Sequence, residues 1–201
     1  SILCDSKADV LLYGMGELSI VALANQINEN LAKSPDASFA TRDMVDPAIL
    51  LQTAYISNNY TPVEEDLELH SHEECLKDKK KQAENFKHIE VQSNSYYAKR
   101  ITQKVDGRTV VVNPPYPPMT EEQIDKSFDL PYMRMPHPKY KDKKIPAYDM
   151  IKFSVNLHRG CFGGCAFCTI SAHQGKFIAS RSKRSILDEV KKITEHPEFK
   201  G

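Results

Sequence analysis

Residues 159–168 read RGCFGGCAFC, and this stretch restricts the chain more than any other. Three of the five cysteines, Cys161, Cys165 and Cys168, fall within eight consecutive positions. Thiolates so spaced can converge on one inorganic centre only if the backbone between them bends freely. Gly163 and Gly164 provide that freedom, and Gly160 lets the backbone pass close to a neighbour. The flanks predict how the loop is carried. Ile151, Phe153, Val155 and Leu157 alternate with Lys152, Ser154 and Asn156, which is the period of a strand over 151–157. After the loop, Ser185 and Asp188 form a capping pair for a helix with Ile186, Val190 and Ile193 on one face. Pro197 disfavours helical geometry at His196 and ends it there. The expected order is strand, cysteine loop, helix.

An odd number of cysteines, three of them crowded, is not the pattern of a secreted disulfide framework. It fits thiols that bind metal in a reducing compartment, and the expected localisation is the cytoplasm. Two kinds of centre remain open on the residues alone. An iron–sulfur cluster usually takes four thiolates, so three would leave one iron open. A structural zinc would need His158 or His173 as its fourth ligand. Lysine plus arginine equals aspartate plus glutamate at 27 each, so net charge does not point to nucleic acid. No apolar run approaches the ~18 residues of a membrane span. Cys4 and Cys75 lie far from the cluster and read as incidental thiols.

Elsewhere, Ala8–Tyr13 is a short apolar run expected to be a strand buried on both faces. It turns at Gly14 into an amphipathic helix marked by Ile20, Leu23, Ala24, Ile27 and Leu31. Gln52–Ser57 reads as a second strand. Thr61, Pro62 and Glu64 predict a helix start, followed by a charged helical stretch to about Ser93. Asp106-Gly107 between two strand-like runs, Arg100–Val105 and Arg108–Asn113, predicts a hairpin. Thr120 and Gln123 cap a short helix to about Phe128, and Pro131–Pro146 reads as an irregular connector.

The cysteine spacing, Cys-x3-Cys-x2-Cys with Phe167 before the last cysteine, resembles the signature of the radical S-adenosylmethionine (radical SAM) superfamily. The stretches YGMGE, NPPYPP, LPYMRMPHP, HQGK and SRSKRSI extend the resemblance to the YgiQ-type group of that superfamily. The resemblance implies that Cys161, Cys165 and Cys168 ligate a [4Fe–4S] cluster and that Phe167 sits beside the adenine of S-adenosylmethionine. It also implies an electron donor such as a flavodoxin or ferredoxin, with the substrate unknown. The implied fold is α/β in three parts. Residues 1–60 would be the end of a Rossmann-like (cobalamin-binding-like) domain, and 61–149 a connector with helix and β-hairpin. Residues 150–201 would begin a partial TIM-type barrel. Independently of the resemblance, polar Ser154 and Asn156 on one face of the expected strand would suit the lumen of such a barrel. Both ends read as cuts in a longer chain, so this segment alone is expected to be inactive.

Several motifs have a plainer reading. YGMGE lacks the third glycine of a dinucleotide fingerprint and is better explained as a tight strand-to-helix turn. No Asp-x-His-x-x-Gly is present, so a cobalamin ligand is unsupported. Arg181 and Arg184 could face an anionic cofactor group or simply open a helix. Lys77–Lys81 sits among Glu73, Asp78 and Glu84 and reads as a solvated face, so nucleic acid is not an expected partner. The rival to the radical SAM reading is a zinc-stabilised interaction module without chemistry.

Overall fold

A computed structural model describes residues 2–33, 44–141 and 143–200. The elements divide into two compact units. One joins the chain up to Pro117 with Cys161–Lys176, and the other joins Pro118–Gly160 with Phe177 onward.

The first unit opens with helix α1 (Ile2–Ser6), strand β1 (Val10–Leu12) and helix α2 (Glu17–Lys33). Strands β2 (Thr53–Ser57) and β3 (Leu67–Leu69), helices α3 (His72–Lys77) and α4 (Lys79–Ser93), and strands β4 (Ile101–Val105) and β5 (Arg108–Val112) follow. The sheet order is β1-β2-β5-β4-β3. Pairings are antiparallel except β3 with β4, which is parallel. This differs from the parallel sheet of a Rossmann-like domain. β1 is an edge strand with half-buried residues and a single partner, not a strand buried on both faces. Leu3, Ala54, Val105 and Val110 form the core, with Cys4 packed against it.

The hairpin forms as expected, with Asp106 at φ 50° and Gly107 at φ 72°, the left-handed pair that a two-residue turn requires. Gln52–Ser57 and the helix after Gly14 also form, although Ile20 and Leu31 are exposed. No helix starts at Thr61. The Asp66 carboxylate accepts from Val63 N at 3.1 Å and Tyr60 OH at 2.6 Å, which folds 60–66 into a turn leading to β3. The helix begins instead at Ser71, whose hydroxyl and Glu74 make a reciprocal capping box.

Two buried amides tie this unit together. Asn113, 1% exposed, shares its two Nδ2 hydrogens among Pro47 O, Leu50 O and Thr53 Oγ1 and accepts from Arg100 Nε. Tyr13 OH donates to the Asn113 carbonyl at 2.5 Å, and burial raises the Tyr13 pKa. Asn85 of α4 donates to His70 O and to Cys75 Sγ, and accepts from His70 N.

The second unit holds α5 (Glu121–Phe128), α6 (Pro146–Ile151), β6 (His158–Arg159), β7 (Ala179–Ser180) and α8 (Lys183–Thr194). Helix α7 (Ile170–Gln174) belongs to the first unit. Thr120 and Gln123 form the capping box read from the sequence. The strand expected over 151–157 is absent. Ile151 ends α6, and Lys152 N donates to Tyr148 O as the helix closes. Phe153 packs edge-on against His196 and Phe199. An alternating stretch needs a ladder partner to become a strand. Here pairing begins only at His158 and Arg159, antiparallel to Ser180 and Ala179. The parallel first strand of a TIM-type barrel is therefore not observed.

The cap of helix α8 lies three residues before the expected one. Ser182 is the N-cap and accepts from Ser185 N, while Ser185 is buried and donates to Asp129. Arg181, 4% exposed, pairs with Glu189, bonds Ser185 and lies 4.4 Å from the Phe128 ring centroid. Burial lowers its pKa, opposed by Asp129 and Asp125. Glu189 also pairs with Arg134. Among the described residues, no helix is long and apolar enough to cross a membrane.

Replacing Asn113 with Ala leaves several buried groups unpaired. The expected loss is about 2–4 kcal/mol, read as a lowered urea midpoint with unchanged slope.

Candidate metal centre

The cysteine loop is held by backbone at both feet. At Gly160 the chain turns at φ +91°, and a Cβ there would lie 2.1 Å from Phe177 O. Only glycine permits that approach. One residue on, Cys161 N donates to Gly175 O at 3.0 Å. Gly175 has φ +93° and ends α7. Within the loop, Cys168 N donates to Cys165 O at 3.0 Å, a turn that brings the last two ligand candidates together in the backbone.

All three thiols are free. Cys161 and Cys168 are half-buried, and Cys165 is exposed. A Cβ on Gly163 would lie 3.4 Å from Cys161 Sγ and 3.7 Å from Cys165 Sγ, so both sulfurs flank the same side of this glycine. Among the described residues, no three histidine, cysteine or acidic side chains already converge on one metal position. Gathering the sulfurs therefore requires loop movement. Gly164, at φ +57° with nothing within 4 Å of its absent Cβ, has room for it. Thiolates fit an iron–sulfur cluster in kind, and three of them leave one iron for another ligand. Phe167 projects from the same loop and is 90% exposed. His158 lies on β6 and His173 on α7, both exposed.

The other candidates resolve into structural roles. Arg181 is committed to Glu189, and Arg184 bonds Asp125, Asp129 and Asp188. Lys79 and Lys80 are exposed, and Lys81 pairs with Glu74. One residue that sequence reading passes over is Gln52. It is buried at φ +57°, and its Nε2 donates to Tyr13 O and Met15 O at 2.6 Å. Its backbone N also donates to Pro114 O at 2.8 Å. It thus fixes both the YGMGE turn and the start of NPPYPP. No local pattern marks it, since all its partners are distant in sequence.

Residues 1–154 match the family described as Radical SAM N-terminal. The chain belongs to the radical SAM superfamily. Within it, the chain is similar to the UPF0313 proteins, the YgiQ-type group. It is 64% identical to the UPF0313 protein of Bacteroides thetaiotaomicron over 204 residues and 59% identical to that of Porphyromonas gingivalis over 203. Identity to the UPF0313 protein of Methanocella arvoryzae is 40%. Each match covers 100% of this chain, but only 33%, 30% and 32% of these relatives. The chain therefore spans about a third of the length of the curated relatives it matches. No solved structure matches. The Radical SAM N-terminal match ends before the cysteine loop, so the loop's role rests on its own residues.

A Gly160→Ala change should disrupt the foot of the loop, because the methyl group meets a backbone carbonyl and the residue must hold positive φ. The expected result is faster amide exchange at Arg159 and Ala179, while exchange at Val111 in the other unit stays at its wild-type rate.

Proposed function

We propose that this chain supplies the cluster-ligating segment of a radical SAM enzyme whose substrate is not indicated by the residues present. Cys161, Cys165 and Cys168 hold three irons of a [4Fe–4S] cluster, and the fourth iron is left to S-adenosylmethionine. When bound, this pair of cofactors supplies reductive cleavage of the sulfonium to a 5′-deoxyadenosyl radical, with the electron coming from a donor such as a flavodoxin or ferredoxin. The protein's part is ligation, orientation and shielding. Gly163 and Gly164 let the loop wrap, Phe167 offers its ring to the adenine, and the backbone feet at Gly160 and Cys161 fix where the loop begins. In this reading residues from 150 onward begin the radical SAM core, and those before it form a preceding domain and connector.

The observation that supports this reading most directly is the donor set. Three free thiols share one loop, and two of their sulfurs lie against the same glycine. The zinc reading needs a histidine as fourth ligand, for which His158 on β6 and His173 on α7 are the candidates.

The test is anaerobic reconstitution of the full-length protein followed by iron and sulfide analysis. The parent should hold about four of each per chain. Cys161→Ala, Cys165→Ala and Cys168→Ala should each lose the normal cluster, while Cys4→Ala and Cys75→Ala should match the parent. Stoichiometric zinc without sulfide would instead establish the structural module.

A further inference from the structure

Lys176 is the last residue of the segment that carries the cysteines, and its ammonium bonds Glu90 Oε2 of α4 at 2.5 Å. The partners are 86 residues apart in sequence and lie in the same compact unit. Exposed ion pairs contribute little, because water screens them and long side chains resist ordering. This one is shielded on the lysine side, where the side chain is 15% exposed against 42% for Glu90. Losing Glu90 would leave a largely buried ammonium without its counter-charge.

The Glu90 end of the pair is attached to a fixed part of the unit, and the Lys176 end adjoins the foot of the cysteine loop. Five positions before Glu90, the buried Asn85 clamps α4 to the His70 backbone, and Gln103 of β4 donates to the same carbonyl. At the other end, Lys176 follows Gly175, whose carbonyl accepts from Cys161 N. Fixing Lys176 therefore fixes the carbonyl that holds the backbone of the first cysteine. Because Gly175 sits at φ +93°, where glycine offers little resistance to rotation, an anchor just beyond it has a mechanical purpose.

We propose that Glu90 is a positioning residue for the cysteine loop, acting through Lys176 to hold the Cys161 backbone in place for cluster ligation. The role in ligation rests on the radical SAM reading above, but the tether itself does not. Glu90 is not one of the thiol ligands, so its effect belongs in cluster retention and not in the identity of the ligands.

Two measurements on the full-length protein separate these claims. In the reconstituted protein, an iron chelator should strip the cluster from Glu90→Gln and Lys176→Met about fivefold faster than from the parent, and Lys176→Arg should keep the parent's rate. In cluster-free protein, the Cys161 amide should exchange faster in Glu90→Gln and Lys176→Met, while the Val111 amide stays unchanged. Equal chelation rates in the parent and Glu90→Gln overturn the positioning role, whatever the amide exchange shows. If the parent takes up no cluster, the radical SAM reading fails, and the Cys161 exchange rate alone decides whether Glu90 holds the loop. Equal exchange in that case overturns the tether as well.

Discussion

The close approach of Gly160 to the Phe177 carbonyl governs how the chain enters the cysteine loop. A loop whose cysteines and phenylalanines are mostly exposed buries little apolar surface, so it cannot fix its own ends by packing. Closure draws on backbone hydrogen bonds, on conformations that only glycine reaches cheaply, and on the Lys176–Glu90 pair. Two residues of β6 against two of β7 would be a marginal sheet alone. The absence of a side chain at Gly160 allows the strand ends to meet, and the bond from Cys161 N to Gly175 O closes the next step of the chain. Loop closure costs entropy that grows only slowly with length, so a few such contacts are enough to define where the loop starts and stops.

In the surrounding structure, buried polar groups act alongside the apolar core. Asn113 and Gln52 bind the strand ends and turns of the first unit, and Asn85 fixes α4 against the sheet. In the second unit Arg181, Glu189, Ser185, Asp129 and Asp125 make one connected network around the start of α8. Networks of this kind specify one arrangement strongly when every member is satisfied, since each alternative leaves a buried polar atom unpaired. Arg181 and Arg184 therefore serve the frame of the second unit.

Elements governed by neighbours in sequence were legible. Asp106-Gly107 dictates its own turn, and Thr120 with Gln123 closes its own cap. Elements governed by distant partners were not. Ile151–Leu157 has the alternation of a strand, yet alternation only sorts side chains and cannot supply a ladder. Phe153 finds its packing on His196 and Phe199 instead. Thr61 has a capping sequence, but the Asp66 carboxylate takes the Val63 N–H and also accepts from the Tyr60 hydroxyl, which favours a turn. At α8 the capping residue was displaced because Ser185 is drawn inward by Asp129 and Arg181, leaving Ser182 as cap. The cysteine spacing was readable as a ligand set, whereas the pairing of Lys176 with Glu90 leaves no trace in any local window.

Membership in the radical SAM superfamily and the three free thiols lead to one central claim, that the cluster has one iron unlike the other three. Mössbauer spectroscopy of the iron-57-reconstituted full-length protein, with and without S-adenosylmethionine, tests it most directly. The account predicts that adding the cofactor shifts the signal of a single iron in four and leaves the remaining three in place. Four irons unmoved by the cofactor, or no cluster signal in an oxygen-free preparation, would contradict it.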